Sequence, residues 1–175
     1  MPSAVVETLL EVAPIFAGFT PEDRKALMEA GVEETYAADL EIVSVGEKAR
    51  SMYVLAEGTV EVLESSNVDE AGALATLIPP CSFGDVAFFE QSTHSITVRT
   101  LTPVRVISIE RTGYDRLLTR QSLAAYKLAL NVLLKLGDQV RRVEDWVTDE
   151  VNRSPGITHD QWAEFRAKLY QGWEV

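Results

Sequence analysis

The stretch Phe83-Gly84-Asp85-Val86-Ala87-Phe88-Phe89-Glu90-Gln91-Ser92-Thr93-His94-Ser95-Ile96-Thr97-Val98-Arg99 decides how this chain is read. A glycine precedes a carboxylate. A short apolar turn follows, then a polar loop, then residues that alternate as a strand does. Glycine tolerates positive φ and lets backbone approach a ligand closely, so such a segment aims several N–H groups into one concavity. The chain upstream reads as short strands building a wall around this point. The chain downstream reads as helix placed to report on it.

From Val32 to Ile109 the texture is one of short alternating runs. Leu40 to Val45 stops at Gly46, and Met52 to Ala56 ends at Glu57-Gly58. Thr59 to Leu63 follows directly. Ser65 to Gly72 is polar and reads as a hairpin loop. Ala73 to Ile78 closes at Pro79-Pro80. Ser95 to Leu101 and Val104 to Ile109 are separated by Thr102-Pro103. Short strands at this spacing predict an antiparallel sandwich or barrel, so the fold class is mainly β with flanking helices.

Two helices precede the strands. Val5, Val6, Leu9, Leu10 and Val12 recur at helical spacing behind Ser3, a good N-cap, and Pro14 ends the run. Ile15, Phe16 and Phe19 form an apolar knot under the main body. Thr20-Pro21-Glu22-Asp23 combines an N-cap, a proline at the first helical position and acids in the first turn. That helix stops at Gly31.

After the strands, Arg111 to Leu118 is one or two helical turns, and a proline-free helix spans about Gln121 to Asp149. Tyr126, Ala129, Leu133, Leu136, Val140, Val143 and Val147 recur at three-then-four spacing, a heptad seam. Leu128, Leu130, Val132 and Leu134 widen the first half, which must therefore also pack on something else. From Leu136 to Val147 the seam calls for a partner helix. Asn152 to Gly156 reads as a linker. Thr158 and Gln161 have capping-box spacing before a short helix with Trp162, Phe165 and Leu169 on one face, and Trp173 lies beyond. Large aromatics of this kind serve either as anchors for a protein partner or as packing on the same chain. The expected organisation is a helical segment at 1–31, a β jelly roll at 32–120, a long helix at 121–149, and a linker with an aromatic helix at 150–175.

Composition narrows the function. With 46% hydrophobic and 25% charged residues, this is the make-up of an ordinary globular protein with a real core. The net charge of −11 repels polyanions, and no basic patch works against it. The 28 residues after Val147 hold one short helix and no second recognition helix, so nucleic-acid binding is not expected. No apolar run has the length of a membrane span, and the N-terminus has no signal-peptide pattern. The single cysteine, Cys81, allows no internal disulfide, and cytoplasmic residence is expected. No nucleophile elbow, phosphate loop, zinc spacing or paired acids on one helix face is present, so neither enzyme activity nor a metal site is expected.

The run from Val43 to Val60, with its glycine turn, Tyr53 strand and Gly58, resembles the first half of a cyclic nucleotide-binding domain. Phe83-Gly84-Asp85-Val86-Ala87 resembles the start of that family's phosphate-binding cassette. Val98-Arg99-Thr100, the strand ending at Ile109, and Tyr114 to Leu118 resemble its last strands and the start of its helices. The resemblance covers about Phe16 to Leu136 and implies a jelly roll. It implies that cassette N–H groups and an arginine neutralise a cyclic phosphate, and that the carboxylate after the glycine takes the ribose 2′-hydroxyl. It also implies that the long helix closes over the base and, in the transcription-factor branch, pairs with its twin.

The departures fall in the cassette. His94-Ser95 stand where the family has arginine and a small residue, Thr93 where proline is common, Asp85 where glutamate is usual, and Pro80 near a usual glycine. Histidine is mostly neutral at pH 7 and cannot form the guanidinium fork. Asp85 is read either as a ribose contact or as a helix cap, and His94 either as a weak phosphate contact or as an exposed loop residue. Arg99, opposite Val98 on its strand, is expected to pair with a surface acid. The expected function is a regulatory module working through a protein partner or as a homodimer. Its cyclic nucleotide binding (cyclic AMP or cyclic GMP) is expected to be weak, altered or lost. The alternative is a working second-messenger sensor whose ligand shifts the long helix.

Overall fold

The computed structural model describes residues 3–64 and 73–153. Two compact units divide the chain, Met1–Leu133 and Leu134–Val175. The first holds all the strands and every helix but the end of the last.

Helix α1 (Ala4–Val12) is capped by Ser3, whose hydroxyl accepts from the Val6 N–H. A 3-10 turn (Pro14–Phe16) follows. Helix α2 (Pro21–Ala30) carries a full capping box: the Asp23 N–H donates to the Thr20 hydroxyl at 3.2 Å and the Thr20 N–H donates to the Asp23 carboxylate at 2.9 Å. Both helix starts lie where the cap residues place them.

Eight strands follow: β1 (Gly31–Tyr36), β2 (Glu41–Val43), β3 (Ser51–Glu57), β4 (Val60–Leu63), β5 (Ala73–Leu77), β6 (Cys81–Phe83), β7 (Thr97–Thr100) and β8 (Val104–Glu110). They form two antiparallel four-stranded sheets, ordered β1-β8-β3-β6 and β2-β7-β4-β5. The expected antiparallel β fold, with flanking helices and a long C-terminal helix, is what the chain forms, as two sheets. The short terminal helix expected around Trp162 lies outside the described residues.

Between the sheets, Val43, Leu55, Val60, Val62, Phe83, Val98, Val104 and Val106 form one apolar core. Strand alternation would send Met52 and Val54 of β3 away from it, yet both are fully buried. Helices α1 and α3 (Asp85–Glu90) pack on that outer face of β3. A strand covered on both sides reads as a nearly continuous apolar run, which explains Met52-Tyr53-Val54-Leu55-Ala56. At the β3–β4 corner Gly58 has φ +85°, and a Cβ there would lie 2.3 Å from the Pro103 carbonyl oxygen. Only glycine fits that turn.

Helix α4 (Arg111–Thr119) crosses α2 so closely that a Cβ on Gly113 would sit 2.2 Å from the Ala30 carbonyl oxygen. Helix α5 runs unbroken from Leu123 to Arg153. Its first turns dock through Ala124, Ala125, Leu128 and Val132, all buried. Polar groups flank that apolar contact. The Asn131 amide donates to the carbonyls of Ile15 at 2.8 Å and Ala17 at 3.0 Å. The Lys127 ammonium donates to the Gly18 carbonyl and to the Asp23 carboxylate. Burial works to raise the Asp23 carboxyl, but hydrogen bonds from Lys127 and Thr20 outweigh it and hold it below the usual carboxylate value.

Candidate functional site

The cassette is built at the join of β6 and α3. Gly84 makes the turn with φ +73° and caps α3. A Cβ on Gly84 would lie 3.3 Å from the His94 ring and 3.5 Å from the Ser51 carbonyl oxygen, so the glycine, β3 and the polar loop converge here. Gln91, at φ +56°, closes α3, and the chain turns back as the Ser92 N–H donates to the Ala87 carbonyl at 3.1 Å. The returning loop lies along the turn after β2. The Ala49 N–H donates to Ser92 O at 3.1 Å, the His94 N–H to Glu47 O at 2.9 Å, and the Gly46 N–H to His94 O at 2.8 Å. Lys48 and Thr93 pair in an isolated bridge.

Each cassette residue read from the sequence has a definite place. Phe83 is buried and stacks on Tyr53, ring centroids 5.3 Å apart. Asp85 is 3% exposed. Its two oxygens accept from the Ser82 hydroxyl at 2.7 Å and from the Val86 N–H at 3.0 Å. Its carboxylate thus already works within the turn and the first residues of α3. Val86 is half-buried, Ala87 is buried, and Ser95 is exposed. Arg99 pairs with Glu61 across β7 and β4, but that acid is buried rather than on the surface as expected.

His94 is not the exposed loop residue of the second reading: its side chain is buried, only 7% exposed, because the loop folds back onto the turn after β2. Burial pushes its imidazole below the ordinary value of 6.5, and the nearby Glu47 carboxylate offsets this only in part. The ring is therefore neutral at pH 7. The surroundings are acidic. Tyr53 is raised by burial and then by Glu34, Glu110 and Glu47. Tyr36 is raised by its own burial and by Glu34, to which its hydroxyl donates.

The depressed imidazole makes a testable statement about stability. As pH falls below about 6.5 the unfolded chain takes up a proton at position 94 before the folded chain does, so folding stability drops with pH in that window. It is fully present above the unfolded value and lost as pH falls through the folded one. The stability difference between the natural protein and His94→Gln is expected to shrink as pH is lowered from 7 toward 5, measured by urea unfolding. Parallel pH curves for the two proteins contradict it. His159 is common to both and cancels.

Sequence reasoning does not single out Ser82, Glu47 or Arg111. Ser82 has a readable signal in Ser82-Phe83-Gly84-Asp85, the spacing of a side chain reaching three residues on. Glu47 and Arg111 have none, because tertiary contact brings them in. The Arg111 guanidinium lies 4.0 Å from the centre of the Phe88 ring and donates to the Phe88 carbonyl. It holds the far end of α3.

Along α5, Tyr126, Leu133, Val140 and Val143 are exposed, whereas Leu136 and Val147 are half-buried. Trp162, Phe165 and Trp173 lie outside the described residues. Among the described residues no helix is long and apolar enough to cross a membrane, and no group of three or more acids, histidines or cysteines could hold a metal ion.

The fold and the cassette belong to one class. Residues 33–121 match the family model of the cyclic nucleotide-binding domain, and the chain is a member of that family. It is 24% identical over 112 residues to a cAMP-dependent protein kinase regulatory subunit of Schizosaccharomyces pombe, a match covering 64% of this chain and 26% of that protein. It is 23% identical over 117 residues to the cyclic AMP receptor protein of Thermus thermophilus, covering 67% of this chain and 54% of that one. The chain thus spans about a quarter to a half of the length of these relatives. A cyclic nucleotide-binding domain from Methylobacillus flagellatus has the same fold, with a TM-score of 0.70 at 15% identity over 82% of this chain and 84% of that one.

Proposed function

We propose that this cyclic nucleotide-binding domain is a regulatory module acting through protein contact, self-pairing along α5, with its response to cyclic AMP or cyclic GMP weak, altered or lost. The observation that carries this reading is His94, a buried and neutral side chain beside Glu47 at the position where the family places an arginine. Without that charge-assisted contact a phosphate loses about 1.5–3 kcal/mol, one to two decades of affinity. Asp85 adds to the deficit, because it is 3% exposed and turned to the Ser82 hydroxyl and the Val86 N–H. The exposed apolar side chains of α5 supply the contact surface.

Calorimetric titration with cyclic AMP and cyclic GMP at pH 6 and pH 8, paired with light scattering, tests both parts. The expected outcome is no saturable site tighter than about 10 μM and a mass near twice 19.4 kDa. The family membership itself favours the second reading, a working sensor. Saturable binding below about 10 μM in the natural protein replaces the first reading with that one.

A further inference from the structure

The inner face of one sheet carries charge that an apolar core does not call for. Strands β1, β8 and β3 lie side by side, and their register sets matched residues on one face. Val32, Ser108 and Tyr53 stand in one row, and Glu34, Val106 and Leu55 in the next. Val106 and Leu55 belong to the core between the sheets, and Tyr36 and Tyr53 pack against it. Glu34 therefore lies on the core-facing side of β1. Tyr36, two residues on and on the same side, donates its hydroxyl to the Glu34 carboxylate.

Depth is graded across this face. Glu47 and Glu110 are exposed, and Glu34, Tyr36 and Tyr53 are half-buried, whereas Ser108 and His94 are buried. The exposed acids form the rim of a recess, and the imidazole and the serine hydroxyl lie at its floor. A Cβ on Gly84 would lie 3.3 Å from the His94 ring and 3.7 Å from the Tyr53 ring, so the imidazole enters beside Tyr53. The charges acting on the Tyr53 phenol are the carboxylates of Glu34, Glu110 and Glu47, and Glu47 acts on the imidazole as well.

His94 and Ser108 are 7% and 2% exposed, yet among the described residues neither side chain has a hydrogen-bond partner. Buried polar groups are ordinarily paired. The groups gathered here are acceptors. Carboxylates only accept, a neutral imidazole keeps one acceptor nitrogen, and a hydroxyl has two lone pairs. The flanking aromatic faces attract cations. An anion meets like charge on this face, whereas an ammonium meets acceptors of opposite charge. The basic residues of the adjoining turn, Lys48 and Arg50, are both exposed. Among the described residues no three acids, histidines or cysteines are placed to hold a metal ion, so the fit is to an organic cation.

We propose that this recess binds a small organic cation carrying a primary ammonium, held by Glu34 and the His94 ring with Glu47 and Glu110 at the rim. The proposal rests on the reading that the response to cyclic nucleotides is altered, and it names the class of ligand taken instead. His94 stands where the family has an arginine. Exchanging a fixed cation for an acceptor there reverses the sign of the charge the recess prefers.

The test is calorimetric titration of the full chain with 1,4-diaminobutane, n-butylamine and cyclic AMP, at pH 7 and constant ionic strength. The expected result is a saturable amine site that Glu34→Gln weakens by about tenfold or more and that His94→Arg abolishes. Glutamine keeps an acceptor for the Tyr36 hydroxyl. Glu47→Gln, at an exposed position where folding is not at risk, is expected to weaken the site severalfold. Glu22→Gln, an exposed acid at the start of α2, is expected to leave it unchanged. Two results overturn the proposal: no saturable amine binding up to about 10 mM, or binding that Glu22→Gln weakens as much as Glu34→Gln and Glu47→Gln do. If neither amines nor cyclic AMP bind, the cation class falls and the reading of an altered cyclic nucleotide response stands. Cyclic AMP bound by the natural protein below about 10 μM overturns both.

Discussion

His94→Arg is expected to tighten cyclic nucleotide binding by about one to two decades, the largest functional change any single substitution at the cassette offers. The natural imidazole is neutral, buried, and 3.3 Å from where a side chain on Gly84 would begin. Arginine at this position restores a permanent charge and a planar fork of donors. Its longer side chain also reaches beyond the ring, toward the amides at the start of α3. Lysine at the same position is the useful comparison, since it restores the charge without the fork. Calorimetry is expected to rank arginine above lysine and lysine above histidine. Equal affinities for all three would place the phosphate-holding cation, if the protein has one, elsewhere.

Phe88→Ala is expected to cost about 3–5 kcal/mol of folding stability. Phe88 is fully buried, meets Phe89 and Tyr114 edge-to-face with centroids 5.2 and 5.8 Å away, and lies under the Arg111 guanidinium. Truncation removes the ring, opens a cavity and takes away those edge contacts together. Set against a whole-domain stability of about 5–15 kcal/mol, the loss is large. Thermal unfolding is expected to move down by roughly 10 °C. Phe89→Ala, at a half-buried neighbour, is expected to cost less. A loss under about 1 kcal/mol for Phe88→Ala would mean that α3 is not bolted to the helical layer through this ring. Because α3 follows directly on the Gly84 turn, the same substitution couples stability to the candidate site.

The two substitutions illustrate different degrees of legibility. The turn into α3 was visible in Phe83-Gly84-Asp85 because a glycine that must take positive φ leaves a mark that no neighbour can supply. The helix starts at Ser3 and Thr20 were visible for a similar reason, since caps act within a few residues. Arg111 left no mark, because its role depends on a ring 23 positions earlier in the chain. Glu47 likewise acquires its importance only when the 91–95 loop folds onto the turn after β2. The nature of His94 was half legible. Its lack of a guanidinium is a fact of sequence, whereas its depressed imidazole follows from burial that only folding imposes.

Sandwich and barrel stayed open until the two sheets paired, but the alternating runs determined that strands precede a long helix, and Gly46, Gly58 and Gly84 marked turns. Those features obey rules that operate over two to seven residues, so the sequence contains them in full. The tertiary structure decided which apolar stripe of α5 is spent. Leu128, Leu130, Val132 and Leu134 are equally apolar, and only docking buries Leu128 and Val132 while leaving Leu130 and Leu134 exposed. Burial depends on surfaces that distant segments bring together. No local pattern encodes which of several similar side chains will meet them.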